Sequence, residues 1–527
     1  IYSWNMRSAP SRAVTDSDGK FQVAGLGSAL YSVSANAPTY VPELREPLPQ
    51  PTYYRIGDTV ELTLVKGSVI TGTVTSALGD PVVQVPVHAI LIREMEGQKY
   101  AVNAADKVTD DRGVYRFYGL LPGTYLISAG GRGGWSMYPN AYDSHAPTFA
   151  PSSNRDSATE IAVRSGEERS GVDIRYLAES GHLVSGTIEG PPAPTGSYGF
   201  GNVSLTQVSK GIRMGLLNSV QASDGRSFTF YGVGDGDYEL TAMSPSGPSE
   251  IAVSDQRAIT VRGSDVTGLT LVTKPLGAIS GRIVLENSSA TECKGKRQPL
   301  LAETMVLIKN NSKEPVRIDP RFIWQGRPVS PDKSGEIVFS NLAPGHYRFD
   351  AQFSAKYWYL KAISQSTVLG ASAVAKLAAG NRPADVARNG ISLKHGEKLG
   401  SLTLTLAEGA ASLHGRIKLG EGESLRAQLY LHLVPSEKES TEDVLRYFAA
   451  PVNQDGSFDL GNLPPGRYWA VLRIAEDHEA KATSKLRLPD ESPARMKLRR
   501  EAEAAQTEIE FKPCQNITGY LLSPKPR

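Results

Sequence analysis

Short apolar runs rich in Val, Ile, Leu, Thr and Tyr recur along the whole chain, and Gly- and Pro-rich turns separate them. Within such runs Phe and Leu alternate with polar residues, which is the period-two pattern of a strand with one buried face. The 51 Gly and 34 Pro supply the frequent tight turns that short strands need. The pattern therefore predicts an all-β protein.

One turn-and-corner pattern occurs five times along the chain. It consists of an Asp-Gly type of turn, an inward aromatic or aliphatic residue, a Gly or Asn corner followed by Leu or Val, and then Pro-Gly-x-Tyr or a relative. The turn glycine precedes the tyrosine by 12 positions in four copies and by 13 in the third. The glycine and tyrosine pairs are Gly19 and Tyr31, Gly113 and Tyr125, Gly225 and Tyr238, Gly335 and Tyr347, and Gly456 and Tyr468.

Each part of this pattern has a mechanical role in a β-sandwich. Asp-Gly supplies the positive φ angles of a tight hairpin turn, and Pro-Gly reverses the chain into the next strand. The tyrosine can bury its ring and bond its hydroxyl to nearby backbone, as a corner tyrosine does in many sandwiches. Five repeats therefore predict five sandwich cores strung in a row.

A second signal is a short strand with a central glycine, found at Gly72, Gly186, Gly281 and Gly415. A glycine inside a strand marks a bulge or a close backbone approach, and we expect it where the first strand crosses between two sheets. Successive copies lie 114, 95 and 134 residues apart, which is the scale of one immunoglobulin-like sandwich with insertions.

These signals divide the chain into five modules: residues 1–66, 67–180, 181–276, 277–408 and 409–527. Module one lacks the glycine-bearing opening strand, so we expect a partial sandwich whose first strands are missing and a chain that begins inside a domain. Module four carries an Ala-rich insertion around residues 371–379 with helical propensity. The short linkers predict that adjacent modules touch.

Module five is predicted to contain two short helices. One lies near Thr441 to Phe448, and the other runs from Pro493 to Ala505 with Ser492 as its N-cap. The second is strongly charged, which predicts a solvated helix laid across the sandwich, with membrane-surface binding as the alternative.

Two aromatic groups are candidate ligand-binding sites. The long Gly-rich loop of module two carries Trp135, Tyr138 and Tyr142, and it either forms a binding surface or packs against a neighbouring module. In module four, alternation along a strand places Trp358 on one face and both Tyr357 and Tyr359 on the other. That group is either a sugar-stacking platform or a core tryptophan beside two half-exposed tyrosines.

Charge and composition exclude several classes of protein. A net charge of +2 with mixed signs leaves no basic face for nucleic acid. No stretch reaches the ~18 apolar residues that a membrane-spanning helix needs. The two cysteines, Cys293 and Cys514, are too few for a metal cluster; they can form one disulfide in an exported protein or remain unpaired thiols.

No catalytic or cofactor motif is found in the sequence. The eight histidines are dispersed, and no phosphate loop, nucleophile elbow or zinc motif occurs, so we expect no enzyme activity, no metal and no cofactor. Asp16, Asp18 and Asp110 resemble the opening of a calcium loop but lack the distal Glu, and turn chemistry explains them better.

The glycine-bearing strand, the Asp-x-x-Gly-x-Phe turn and the Leu-x-Pro-Gly-x-Tyr corner resemble the carboxypeptidase regulatory-like domain, a transthyretin-like sandwich that is also similar to collagen-adhesin B-type repeats. Segments such as residues 146–151 and 165–174 resemble multi-repeat exported proteins of Acidobacteria. The resemblance implies non-catalytic domains, exported to the periplasm, cell surface or medium, that serve in adhesion, envelope structure or support of an enzyme.

The leading hypothesis is a structural or interaction protein of a bacterial envelope or extracellular assembly, whose modules contact other proteins or further copies of the chain. A second hypothesis is an array that binds carbohydrate or peptide, for which Trp135→Ala or Trp358→Ala would abolish glycan binding. A third is an accessory region of a larger hydrolase.

Overall fold

The structure is a computed structural model of the 527-residue chain. It describes residues 2–3, 11–27, 29–43, 54, 56, 59–95, 98–131, 140–191, 201–222, 226–311, 328–366, 384–418, 429–474 and 492–522. The chain is all-β with few helices, and the predicted fold class of tandem β-sandwiches is confirmed.

Module one consists of two small antiparallel ladders in the described residues. β1 pairs with β2, and β3 pairs with β4. Leu30 and Tyr31 are buried, but no larger core surrounds them among the residues described. The strands are β1 (Tyr2–Ser3), β2 (Tyr31–Ser32), β3 (Tyr40–Pro42) and β4 (Leu64–Lys66).

Module two folds as two facing sheets around one apolar core. The first sheet joins β5 to β8, β12 and β13, and the second joins β10, β9, β6 and β7, with β11 also paired to β9. The strands are β5 (Ser68–Thr75), β6 (Pro86–Met95), β7 (Gln98–Val108), β8 (Val114–Leu120), β9 (Gly123–Ala129), β10 (Thr148–Phe149), β11 (Ile161–Val163), β12 (Glu168–Arg169) and β13 (Ile174–Arg175).

Module three repeats the arrangement with a second apolar core. β14, β17 and β21 form one side, and β15, β16, β18, β19 and β20 form the other. β19 also pairs with β21, so the two sides are joined at this edge. The strands are β14 (His182–Glu189), β15 (Asn202–Ser209), β16 (Ile212–Gln221), β17 (Ser227–Val233), β18 (Gly236–Pro245), β19 (Ile251–Ser254), β20 (Arg257–Val261) and β21 (Val266–Pro275).

Module four has sheets of strand order β24-β22-β29-β26-β27 and β23-β25-β28 around a third core. The strands are β22 (Gly277–Glu286), β23 (Met305–Asn310), β24 (Glu336–Leu342), β25 (Gly345–Gln352), β26 (Trp358–Gln365), β27 (Ala384–Asp385), β28 (Ile391–Leu393) and β29 (Lys398–Glu408), and the one-turn helix α1 spans Val386–Asn389. The Ala-rich stretch 371–379 lies outside the described residues.

Module five has sheets of order β33-β30-β36 and β32-β31-β34-β35 around a fourth core. Helix α2 spans Ser492–Ala505 and buries Leu498 and Ala502 against the outer face of the second sheet. The strands are β30 (Ala411–Ile417), β31 (Leu429–Pro435), β32 (Phe448–Pro451), β33 (Ser457–Leu463), β34 (Gly466–Ile474), β35 (Glu508–Phe511) and β36 (Asn516–Leu522).

The helix expected near Thr441 to Phe448 is replaced by a single 3-10 turn, Val444–Arg446. The Asp443 carboxylate accepts a hydrogen bond from the Leu445 amide, which caps the turn at its start. The chain then enters β32 at Phe448, whose backbone pairs with β31. Of the residues assigned to a helix, only Phe448 therefore joins the sheet ladder, and the others form the capped 3-10 turn and its flanks.

Modules two to five share one sheet topology. The opening strand of each module lies between an antiparallel strand that follows the Asp-Gly turn and a parallel strand from the end of the module. A Cβ at the central glycine would collide with a carbonyl oxygen of that last strand: Val172 for Gly72, Leu269 for Gly186, Leu402 for Gly281 and Tyr520 for Gly415. The glycine therefore permits close approach within one sheet, and our expectation that it marks a crossing between two sheets was wrong.

The expected row of separate beads also needs a correction between modules two and three. β7 of module two pairs in parallel with β16 of module three, so the two modules share one continuous sheet. Each module nevertheless keeps its own apolar core. The sequence signals located the cores but not the strand pairing that joins them.

Candidate functional site

The five repeated tyrosines form the same local structure. In every copy the tyrosine hydroxyl donates a hydrogen bond to the carbonyl oxygen four residues upstream. Burial raises the pKa of Tyr125 to about 12, so its hydroxyl stays a neutral donor. The donors and acceptors are Tyr31 and Gly27, Tyr125 and Leu121, Tyr238 and Gly234, Tyr347 and Ala343, and Tyr468 and Pro464, at 2.6, 2.7, 2.7, 2.6 and 3.0 Å.

The turn before each corner is closed by an Asp side chain in three modules. One carboxylate oxygen of Asp16, Asp110 or Asp332 accepts backbone hydrogen bonds from the residues two and four positions downstream. The hydrogen bond from the Val114 amide is the main reason why the pKa of Asp110 lies below its ordinary value. Gly225, the turn glycine of module three, lies outside the described residues. These carboxylates close turns, as their sequence context predicts.

The Gly or Asn residue at the corner of each of modules two to five adopts a left-handed conformation, and in modules three to five it also lies against the preceding module. Its φ is +67° at Gly119, +64° at Gly232 and +58° at both Asn341 and Asn462. Gly and Asn are the residues that tolerate this conformation best. In modules three to five the corner is therefore both the turn of its own module and the contact point with the module before it.

At the Gly232 corner the backbones of modules two and three approach too closely for a side chain, whereas the Cβ position of Gly119 has nothing within 4 Å. A Cβ at Gly232 would collide with Asp143 O and would lie 2.7 Å from His145 O, both in module two. A Cβ at Gly67, the first residue of module two, would lie 2.8 Å from the Cα of Gly119 in the same module and 3.2 Å from Thr39 O of module one. Glycine is required at Gly232 because the left-handed φ and the close approach coincide there.

At the asparagine corners the side-chain amide bridges the gap. Asn341 donates to Ser249 O at 3.0 Å and accepts from the Ile251 amide at 3.0 Å, both in module three. Asn462 donates to Ala355 O at 2.9 Å and to Trp358 O at 2.8 Å, both in module four. An amide that satisfies backbone groups of the adjacent module fixes how the two modules meet.

The junction of modules two and three adds an apolar cluster to the shared sheet. The cluster contains residues of both modules. Module two contributes Ile90, Ala101, Leu126 and Phe149, and module three contributes Ile212 and Met214. Across the linker the Ala146 amide donates to Glu179 O and the Gly181 amide donates to Ser144 O, each at 2.9 Å. A backbone ladder and buried apolar area together hold this junction.

The junction of modules four and five combines backbone and side-chain contacts. The Gly409 and Ala410 amides of module five donate to Tyr357 O of module four at 2.8 and 2.9 Å. Cys293 of module four and Cys514 of module five form a disulfide. Leu445 of module five is buried in the core of module four. Arg388 and Glu442 form an ion pair across the junction at 3.3 Å.

The aromatic ligand candidates are mostly engaged within the protein. Tyr142 donates to Val83 O at 2.7 Å and packs edge-on against Tyr176, whose hydroxyl lies 3.0 Å from His145 Nδ1. Trp135 and Tyr138 lie outside the described residues. Tyr142 therefore contributes to the end of module two that meets module three.

In module four the strand alternates as its sequence predicts. Trp358 is 0% exposed in the core, while Tyr357 and Tyr359 are half-buried. Lys296 lies over the ring of Tyr357 at 4.5 Å. Trp358 presents no surface on which a sugar ring could stack, and its backbone carbonyl instead serves the Asn462 bridge.

The described residues contain no group of three or more His, Cys, Asp or Glu side chains able to hold a metal ion. His88 Nδ1 lies 2.6 Å from an Asp106 carboxylate oxygen, and the hydrogen bond lowers the pKa of Asp106. His88 is 3% exposed and its Nε2 is enclosed, so the imidazole is buried, whereas the Asp106 side chain is exposed. In the described part of the chain no helix is long and apolar enough to cross a membrane.

No known protein-family model matches the chain, and no curated protein sequence matches it. Solved structures that align with it include the TIE protein of Bacillus anthracis, at 12% identity over 89% of this chain and 76% of that one, with a TM-score of 0.15. The major pilin subunit of Bacillus cereus aligns at 11% identity over 64% and 99%, with a TM-score of 0.15. A streptococcal ancillary pilin aligns at 10% identity over 66% and 99%, with a TM-score of 0.17. Alignments with TM-scores this low carry no argument about this chain, and its fold class rests on the sheets described above.

Sequence reasoning missed the asparagine bridges and the shared sheet. A signal for the bridges was present, because Gly119, Gly232, Asn341 and Asn462 occupy the same position of the repeat. We interpreted that position only as a turn. No signal for the β7–β16 pairing was found, because any strand edge can pair with any other.

Proposed function

We propose that the chain is a non-catalytic scaffold of a bacterial envelope or an extracellular assembly, built from carboxypeptidase regulatory-like modules. The observation that carries the proposal is that each junction between modules two to five is fixed by specific contacts. A protein whose modules are held in one arrangement can keep its two ends at a set distance and orientation.

The Cys293–Cys514 disulfide supports the exported location. Structural disulfides persist in oxidising compartments such as the periplasm and the cell surface. Both sulfurs are buried, since Cys293 is 1% and Cys514 is 8% exposed. A buried bond of this kind is expected to form during folding and to remain oxidised.

Repeated sheet edges supply contact surfaces for protein partners or for self-assembly. In the described residues β17, β24 and β33 each end a sheet path, and β8 pairs only with β5. Tyr118, Tyr231 and Val338 project from these edges and are 67%, 49% and 53% exposed. An open edge can accept a strand from another protein, and exposed aromatic side chains add contact area.

Fractionation of the native cells tests the scaffold proposal. An epitope-tagged chain is followed through cytosol, periplasm, envelope and medium, and alkylation before and after reduction reports the state of the two cysteines. We expect oxidised protein in the envelope or medium, sedimenting as an assembly larger than the 56.7 kDa monomer. A reduced monomer confined to the cytosol would overturn the proposal.

A further inference from the structure

The disulfide closes a covalent loop around most of modules four and five. Cys293 lies in a 3-10 turn, Thr291–Cys293, between β22 and β23. Cys514 lies in the turn between β35 and β36. The two cysteines are 221 positions apart in the sequence, whereas their Cα atoms are 5.4 Å apart.

The loop contains nearly every element of the two modules. β23 to β29 with α1, and β30 to β35 with α2, all lie between the cysteines. Outside it remain only β22, which connects module four to module three, and β36, which leads to the C-terminal end of the chain. The strands outside the loop are therefore the entry and exit strands of the two-module unit.

Tension applied to the ends of a chain follows its shortest covalent path. From module three that path runs through β22 to Cys293, across the sulfur–sulfur bond to Cys514, and out through β36. We infer that Cys293–Cys514 is a tension bypass, which removes the elements between the cysteines from the path of a force applied along the scaffold.

The strands left on the force path are held by the protected unit. β22 lies between β24, which is antiparallel, and β29, which is parallel. β36 pairs in parallel with β30. Even when force pulls both strands from their sheets, modules four and five lengthen only by the residues that lie outside the Cys293–Cys514 loop.

Modules one to three have no such protection, because the chain contains two cysteines and both lie further along. The molecule is thus divided into an N-terminal part that can extend fully and a C-terminal part of limited extension. The biological use of this division rests on the proposed scaffold function; the covalent path does not.

Single-molecule stretching of the full chain between two end-attached handles tests the inference. Each molecule is pulled to full extension in the oxidised state, and other molecules are pulled after treatment with dithiothreitol. The oxidised chain should be shorter at full extension by about 73–80 nm, from 221 positions at roughly 3.3–3.6 Å each. Alkylation of the released thiols confirms that the treated molecules are reduced, and equal extension of oxidised and confirmed reduced molecules would overturn the inference.

The double variant Cys293→Ser/Cys514→Ser is the matched control. It should reach the length of the reduced chain with or without dithiothreitol, which excludes an effect of the reductant on the handles or on the other modules. Should the variant fail to fold, the wild-type chain folded oxidised and then reduced gives the same comparison. The traces do not depend on cellular location, so a cytosolic protein would overturn the scaffold proposal without touching this result.

Discussion

Two junctions of the molecule are fixed by different kinds of contact: the one between modules two and three, and the one between modules four and five. The first is a continuation of secondary structure, in which β7 and β16 pair and an apolar cluster covers the seam. The second has a disulfide, the Asn462 bridge and an ion pair. A ladder of backbone groups depends little on side-chain identity. The second junction has two backbone hydrogen bonds, from the Gly409 and Ala410 amides to Tyr357 O, and relies on a few named side chains for its other contacts.

The two corners show the same contrast at the scale of one residue. Gly232 has no side chain, which lets its backbone lie directly against the backbone of module two. At Asn462 the side-chain amide lies between the backbones of modules four and five and bonds to Ala355 O. The same position of the repeat therefore accepts two residues that are not interchangeable. A substitution that is harmless at one junction is expected to damage the other.

The largest effect is expected from Gly232→Ala. The added methyl group meets the carbonyl oxygens of Asp143 and His145, which belong to backbone and cannot rotate away. We expect a loss of about 2–4 kcal/mol at this junction, from overpacking together with the positive φ. Hydrogen exchange at the Ala146 and Gly181 amides, which bond across the linker, measures the opening.

Gly263→Ala is the control for that substitution. Gly263 has a φ of +61°, close to the +64° of Gly232, and nothing lies within 4 Å of its Cβ position. It should show only the conformational cost, about 1–2 kcal/mol, with no change at the junction amides. Equal exchange at those amides in the two variants would mean that the Gly232 contact does not hold the junction.

A smaller effect is expected from replacing the asparagine bridges with glycine. Asn462→Gly and Asn341→Gly keep a residue that tolerates the left-handed φ and remove two hydrogen bonds each. The expected cost is about 1–3 kcal/mol at each site. Exchange of the Ile251 amide reports on the junction of modules three and four.

Because of the disulfide, the two asparagine variants should differ in how much they increase the relative motion of adjacent modules. In the oxidised protein Asn341→Gly should increase the relative motion of modules three and four more than Asn462→Gly increases that of modules four and five. Reduction should make the two variants alike. Small-angle scattering in both redox states measures this, and an Asn462→Gly effect that is unchanged by reduction would contradict the expected role of the disulfide.

The smallest effect is expected at low pH in the Asp110 turn, and it should leave the contacts of both junctions unchanged. The pKa of Asp110 is lowered because its ionised carboxylate accepts backbone hydrogen bonds, so it stabilises the turn above the ordinary value of 3.8 and loses that contribution as the pH falls below it. Exchange of the Val114 amide, measured relative to an unstructured peptide at the same pH, should rise as the pH falls below the ordinary Asp value of 3.8. Asp110→Asn should remove this rise, and a rise that persists in the variant would assign it to another group.

Sequence patterns predicted the local structure of this chain far better than its junctions. The corner tyrosines, the strand glycines and helix α2 follow from short periodic signals, each decided by residues close in the chain. The burial of Trp358 was also predicted from a short periodic signal, the alternation of side chains along a strand. The 3-10 turn at Val444–Arg446 was not, because Leu445 packs into the core of module four and β32 begins two residues after the turn.

The junctions depend on residues far apart in the sequence. Asn462 and Ala355 are 107 positions apart, and the cysteines are 221 apart. From the sequence alone, Cys293 and Cys514 could form a disulfide or remain free thiols, because their spacing cannot show which surfaces meet. The β7–β16 pairing was missed for the same reason.

Electron spin distance measurements across the two contrasting junctions test the central claim, that the modules meet in one arrangement. One pair of labels is placed at Leu78 and Val272, across modules two and three, and another at Val338 and Leu521, across modules four and five; these side chains are exposed. The labels are attached through non-natural residues, which leaves the disulfide intact. The account predicts one narrow distance distribution for each pair in the oxidised protein. Broad distributions at both junctions would contradict it.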